Sequence, residues 1–238
     1  MRKMACYVVV PAEALRGKRW DPAFWRPDRA EPATAWPFPH APLGDFIQKI
    51  TYGPILTGQR PQPVANGVAI IDQKVIRASG VLLGQAIVVA EGCAYDPPRC
   101  RLEPGDIVFA RSGAGTLAKR RFTVFGHPVK ATVSCFVDLI RLAGISPHYV
   151  VTFLRSRPGW SRIERLINGV GTPNLSFAEI RSLEIPLLPR ADQEAIERAW
   201  VQIGRLHDAG RLVEAEAALD EAVLGLERQL EAAGGQGR

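Results

Sequence analysis

Basic side chains in this chain cluster beside glycines, and their chemistry is easy to state. Lys119, Arg120 and Arg121 follow Gly113-Ala114-Gly115, with Arg111 and Ser112 just before. Such a cluster beside a glycine loop can neutralise several phosphates and so give affinity without sequence choice. Tyr52, Gln59, Arg60 and Gln62 lie in the stretch 51–64, read as a loop. Arg can contact guanine and Gln adenine in bidentate fashion, and recognition residues commonly sit on loops of a rigid scaffold. Lys74, Arg77 and Arg162 add positive charge. Thr172, Asn174 and Ser176 stand at a helix start, whose free amides and positive dipole suit a phosphate. A plainer reading stands beside each of these. The basic residues could form solvated faces, the 51–64 stretch a surface loop, and Thr172 to Ser176 nothing more than a helix cap.

Catalytic motifs fit poorly. The Gly113-Ala114-Gly115 turn follows a strand-like run, but Ala118 stands where a dinucleotide-binding turn needs its third glycine. Asp96-Pro97-Pro98-Arg99 has arginine where an adenine methyltransferase motif needs an aromatic residue to stack on the base. No H-x-x-x-H, G-x-S-x-G or P-loop occurs. Cys6, Cys93, Cys100 and Cys135 form no C-x-x-C pair, so reduced thiols are expected and a zinc site is not.

The elements that must carry these residues are of mixed type. Ala5 to Val10 favours a strand, and the Trp- and Pro-rich run 19–27 is too broken for one. Strands are expected over 68–72, 74–77, 86–90, 106–110 and 122–125. Another is expected over 132–140, with Val133, Cys135, Val137 and Leu139 on one side. Pro147 opens a helix with Tyr149, Val150, Phe153 and Leu154 as its apolar stripe, and Trp160, Ile163 and Leu166 repeat that spacing. Ser176 and Glu179 have the spacing of a capping box. Leu183, Ile185 and Leu187 alternate as a strand, and Pro186 confines it to an edge. A helical pattern then runs from Asp192 to Leu230, broken near Asp208-Ala209-Gly210. The fold class is α+β: a strand-rich core with helices, followed by a long C-terminal helical, coiled-coil-like arm.

Charge divides along the chain. Residues 1–190 carry 25 Lys and Arg against 14 Asp and Glu, a net of +11, while residues 191–238 carry 5 against 10, a net of −5. A basic body suits a polyanion, and an acidic arm suits a protein partner. Hydrophobic content of 47% and charged content of 23% describe a globular chain, not a disordered one. No apolar run approaches the roughly 20 residues of a membrane helix. The first 14 residues resemble a signal peptide only superficially, so a cytoplasmic protein is expected. Along the arm, Ile196, Trp200, Ile203 and Leu206 form one stripe and Leu212, Leu219, Val223, Leu226 and Leu230 another. They must pack on a neighbouring helix of the same chain or on a second chain.

Several spaced motifs resemble the target-recognition domain of DNA-specificity (S) subunits in type I restriction–modification systems. They are Arg19-x-Asp21-Pro22-x-Phe24, Leu43-Gly44-Asp45-Phe46-Ile47, Gly105-Asp106-Ile107 with Arg111 and Gly113, and Asn174-Leu175-Ser176 with the Leu183–Pro189 strand and Asp192-Gln193. S subunits of the usual size hold two such domains, each followed by a helical region; this chain has one of each and no internal repeat. The resemblance therefore implies a half-size specificity subunit, non-catalytic, reading double-stranded DNA. It implies residues 1–190 as the recognition domain, 191–233 as the helical region and 234–238 as a disordered tail. It implies dimerisation through the arm and a bipartite target. Its expected partners are a methyltransferase subunit holding S-adenosylmethionine and a nuclease–translocase subunit, with no cofactor in this chain. Phage defence is the corresponding role. A recognition domain of a fused restriction–modification enzyme, a stand-alone methyltransferase and a coiled-coil adaptor are the alternatives.

Overall fold

The computed structural model describes residues 9–10, 12–15, 38–113, 119–167 and 174–235. The run 19–27 lies outside them, as do Gly169, Gly171 and Thr172; residues 9 and 10, the described end of the predicted N-terminal strand, are not in a strand. A four-residue helix, α1 (Ala12–Leu15), precedes the body.

Two sheets lie back to back because one strand alternates between two apolar clusters. Strand β8 (Val137–Leu142) is flanked by β2 (Ile47–Tyr52) and β5 (Ile107–Ala110), and β6 (Phe122–Val124) completes an antiparallel sheet in the order β2-β8-β5-β6. Ile107, Phe109, Phe122, Val124 and Ile140 point into a cluster shared with the helices. Val108, Ala110, Val137 and Leu139 point into a second cluster with the other sheet. The period-two pattern thus sorts one strand's side chains into two cores. The second sheet runs β4 (Ile87–Val89), β3 (Val68–Ile71), β7 (Ala131–Val133), with β3 and β7 parallel.

Two strand expectations are corrected. The single strand expected over 132–140 is two strands in different sheets. A turn at Ser134–Phe136 passes the chain from β7 to β8, closed by Val137 N–H donating to Ser134 C=O at 3.1 Å. Residues 73–75 form a turn, because Asp72 Oδ1 captures the amides of Lys74 at 2.7 Å and Val75 at 3.3 Å, and of the expected 74–77 strand there remains an isolated antiparallel bridge between Ile76 and Val81. Conversely β2 extends through Thr51 and Tyr52, which the sequence reading placed in a loop.

Helices α2 (Pro147–Arg155) and α3 (Arg157–Leu166) follow, with Ser146 and Ser156 capping their first turns. They turn so tightly that a Cβ on Gly159 would stand 1.9 Å from the Phe153 carbonyl oxygen. The expected capping box is present at α4 (Phe177–Arg181): Glu179 N–H donates to Ser176 Oγ, and Ser176 N–H donates to the Glu179 carboxylate. Strand β9 (Glu184–Pro186) pairs with β1 (His40–Pro42) in a separate two-stranded ribbon, with Pro42 and Pro186 at its two ends.

The helical region begins at α5 (Arg190–Asp208), continues through α6 (Leu212–Gly235) and folds back as a hairpin. Its turn is a Schellman motif. Gly210 lies at φ +74°, its N–H donates to His207 C=O, and Arg211 N–H donates to Leu206 C=O. The apolar stripe is spent within the chain. Ile196, Trp200, Ile203, Leu219, Leu226 and Leu230 are buried in the same cluster as Phe109 and Tyr149, with Val223 packed against it and Leu212 half-buried. Trp200 Nε1 donates to Thr152 on α2 at 2.9 Å, and the buried Glu227 accepts the Arg157 N–H at the start of α3. Among the described residues, the large apolar side chains that the hairpin exposes are Val201, Val213 and Leu224. Among the described residues no helix is long and apolar enough to cross a membrane.

Gly159→Ala should lower stability by about 2 kcal/mol or more, as overpacking at a tight contact does. The urea midpoint of the variant should fall with its m-value unchanged; an unchanged midpoint would show that the α2–α3 turn relaxes freely.

Candidate nucleic-acid interface

The strand registers decide which residues share an end of the molecule. Tyr52 closes β2 opposite Asp138, and Ala110 closes β5 opposite Val137. Arg121 C=O receives the Ala110 N–H, so the 119–121 turn lies at the same end. Ile71 C=O receives the Ser134 N–H, and Ile70 pairs with Ile87, which adds the 72–77 stretch and residues 85–87. An isolated bridge between Ser112 and Asn174 brings in the entry to α4. One end therefore gathers Tyr52 and the 53–64 segment that follows it, with Lys74, Arg77, Arg111, Ser112, Lys119, Arg120, Arg121 and Asn174. Gln59, Arg60 and Gln62 are exposed on that segment.

Arg111 is the most constrained of these. Its guanidinium lies 4.5 Å from the centroid of the Tyr52 ring and 5.7 Å from that of Phe177. Its Nε stands 3.2 Å from Oδ1 of Asp138, which is fully buried, while the Arg111 side chain is 20% exposed. The rings and the carboxylate hold the base of the guanidinium fork, which fixes the direction of its outer nitrogens. Two influences oppose each other at Asp138. Burial raises its carboxyl to about 7, against Arg111, which lowers it. Burial prevails because neither carboxylate oxygen accepts a hydrogen bond, despite the ion-pair distance.

The basic cluster at 119–121 is partly consumed by packing, and this corrects its reading as a free phosphate patch. Arg120, at φ +46°, stacks over Trp160 at 4.5 Å and donates to Arg155 C=O at 2.9 Å; Arg155 returns a bond to Arg120 C=O. Arg121 donates to the Gln73 carbonyl. Lys119 is exposed. Arg77 folds back onto the carbonyls of Lys74 and Ile76. Arg77, Lys119 and Arg121 line a groove of about 420 Å³ whose other wall carries Glu216 and Asp220 of α6. Arg162 sits on α3 and donates to Pro158 C=O of its own helix, and Ser176 is committed to its cap.

The opposite end differs in one respect: its arginines are paired, although Lys49, in register with Arg141, forms no ion pair among the described residues. Arg141 binds Asp106 and Glu103, Arg101 binds Asp96 and Glu91, and Lys130 binds Glu91. Among the described residues Arg60, Lys74, Arg77, Lys119 and Arg121 form no ion pair. The two ends thus have similar composition and different unspent charge.

Two residues at the interface escaped the sequence reading. Asp138 had a legible signal, a lone charge inside the apolar run Val-Asp-Leu-Ile, which demands a buried partner. Arg99 had none. It is exposed and donates to Thr51 Oγ1 at 2.9 Å and Tyr52 C=O at 2.7 Å, bracing the end of β2. Cys100 is buried and donates to Tyr52 C=O, while Cys93 and Cys135 are half-buried free thiols. Among the described residues no group of His, Cys, Asp and Glu could hold a metal ion.

Comparison with known proteins bears on the fold. No family model and no curated protein matches the chain. Among solved structures, it matches a chain from a study of complex assembly and conformational transition in a type I R-M system, with a TM-score of 0.52 at 14% identity, over 86% of this chain and 46% of that one. In fold the chain is therefore like one half of a type I restriction–modification chain, and it is α+β as the sequence implied. Weaker likenesses are to the type I S subunit from M. genitalium, TM-score 0.48 at 15% identity, over 83% of this chain and 50% of that one, and to the HsdS subunit from Thermoanaerobacter tengcongensis, 0.46 at 18%, over 79% and 47%. These two fall below the similarity that establishes a common fold. The chain spans about half the length of each of the three.

The raised Asp138 carboxyl gives a pH signature. Between its ordinary value of 3.8 and about 7 the folded state holds a proton that the unfolded state has lost. Its contribution to stability is thus full below the ordinary value and falls as pH rises through about 7. Asp138→Asn mimics the protonated acid and removes that slope. Thermal midpoints from pH 4 to 8 should show wild type losing stability relative to the variant as pH rises. A wild type that gains on the variant over that range would mean that the Arg111 pairing outweighs burial.

Proposed function

We propose that this chain is a DNA-reading, non-catalytic subunit of a type I restriction–modification assembly, a half-size specificity subunit. The observation that carries the reading is the end of the two sheets where Arg111 is pre-aimed by stacking and a buried carboxylate, amid cations that no carboxylate pairs. Duplex DNA offers phosphates to Lys74, Lys119 and Arg121, and base edges to Arg111, Gln59, Arg60 and Gln62. The type I R-M likeness supports the same role. Catalysis, with S-adenosylmethionine, belongs to a methyltransferase partner, and a nuclease–translocase is the further partner. One recognition unit reads one half-site, so a bipartite site requires two copies. Because the predicted stripe is buried in its own chain, the second copy would dock on apolar residues that the hairpin leaves exposed, Val213 and Leu224 among them. Light scattering of the isolated chain should give a dimer, and Leu224→Glu should give a monomer.

Binding to duplex DNA tests the reading. Arg111→Ala should weaken binding about tenfold or more and blur preference at one base position. Lys119→Ala should weaken all sequences alike and reduce the salt slope by about one unit. Glu216→Gln with Asp220→Asn should strengthen non-specific binding, because those carboxylates face Arg77, Lys119 and Arg121 across the groove. Wild-type protein that fails to bind duplex DNA at low salt would overturn the proposal.

A further inference from the structure

We propose that the recess beneath the 53–64 segment binds a single nucleobase carrying a 5′-phosphate. The inference rests on the DNA-reading function for one source of that base, a nucleotide turned out of a duplex; a free nucleotide is the other source. The recess encloses about 530 Å³, within the roughly 300–1,000 Å³ of small-molecule sites. Its walls are apolar and come from both edges of the second sheet, with Ile70, Ala86, Ile87 and Val133 among them. Tyr95 closes one side. Its hydroxyl donates to the Gln59 carbonyl at 2.9 Å, so the phenol is held in place and ties down the covering segment.

The polar side chains lining the recess include Ser134, Gln59, Gln85, Lys74 and Asp72, and the Asp72 Oδ1 is already taken by the Lys74 and Val75 amides. Ser134 lines the recess, and its backbone is fully used: its N–H donates to Ile71 C=O and its C=O accepts from Gly53 N–H. Its Oγ is buried and has no hydrogen-bond partner. That oxygen exposes almost no surface, so a ligand in the recess reaches it once the side chain turns about χ1, and the missing bond is then made. Gln59 and Gln85 bring exposed amides, and Lys74 an exposed ammonium with no ion pair among the described residues.

A nucleobase matches this set because it presents two flat apolar faces and one hydrogen-bonding edge. A hydrocarbon chain would fill the walls and leave Ser134 Oγ unsatisfied. The attached phosphate answers Lys74. The recess opens at the end where the free cations gather, since Ser134 and Ile87 belong to that end by register. A stacked duplex lying across those strand ends keeps its bases inside, so a base enters only by turning out or by arriving free.

The test uses the intact chain in two arms. In the first, dAMP, dGMP, dCMP and TMP are titrated and followed by saturation-transfer NMR, with deoxyribose 5-phosphate as the base-free control. At least one nucleotide should bind and the control should not. Ala86→Trp, which fills the recess, should abolish binding. Ser134→Ala, which adds no volume, should weaken it about 3- to 10-fold, the size of one lost hydrogen bond. In the second arm, 2-aminopurine replaces adenines of a duplex that the chain binds. A fluorescence rise on binding that Ala86→Trp removes assigns the recess to a turned-out base. Nucleotide binding untouched by both variants, or no nucleotide bound and no fluorescence rise while duplex is bound, overturns the proposal. If duplex is not bound at all, the DNA-reading function falls, and the mononucleotide arm alone decides the recess.

Discussion

The chain depends on the antiparallel registration of β8 with β2 and β5. That ladder sends alternate side chains into two separate cores, and it brings Tyr52, Arg111 and Asp138 to one end. A carboxylate at the centre of a sheet is unfavourable in isolation. Here burial outweighs the pull of Arg111 and raises the carboxyl to about 7, while the short Arg111 contact helps to aim the guanidinium. Burial and function are therefore joined in one contact: the residue that makes the central strand hard to bury is the residue that orients the most constrained cation.

Charge alone would not have located the interface. Both ends of the sheets carry arginines, but at one end they are answered by Asp96, Asp106, Glu91 and Glu103. Paired guanidiniums have little left to give a phosphate, whereas unpaired ones release counterions on contact. The helical hairpin refines this asymmetry. Its acidic residues Glu216 and Asp220 face Arg77, Lys119 and Arg121 across open space and form no ion pair with them. Such an arrangement leaves the cations available while lowering their pull on any passing polyanion.

Much of this was legible in the sequence for local reasons. The capping box at Ser176, the proline-bounded edge strand and the break at Gly210 each follow from one or two residues, and each is present. What failed was non-local. Residues 132–140 alternate like one strand, and only the partners of each half show that the halves belong to different sheets. Residues 74–77 have strand-like composition, but the Asp72 side chain claims the amides of Lys74 and Val75 and leaves an isolated bridge at Ile76. The stripe along the arm fitted either its own chain or a second one, and the structure spends it on α2 and α3. Lys119 to Arg121 resembled a uniform basic cluster, yet Arg120 is held by Trp160 and Arg155. No periodicity announces a recess built from five separate stretches of chain and one orphaned hydroxyl.

Hydrogen exchange with and without duplex DNA tests most directly whether one end of the sheets is the DNA surface. Amides at 53–64, 72–77, 85–87, 111–112 and 134–136 should slow on binding, while those at 91–92, 103–106 and 141–144 should not. Protection at the paired end, or spread evenly over both, would contradict the assignment.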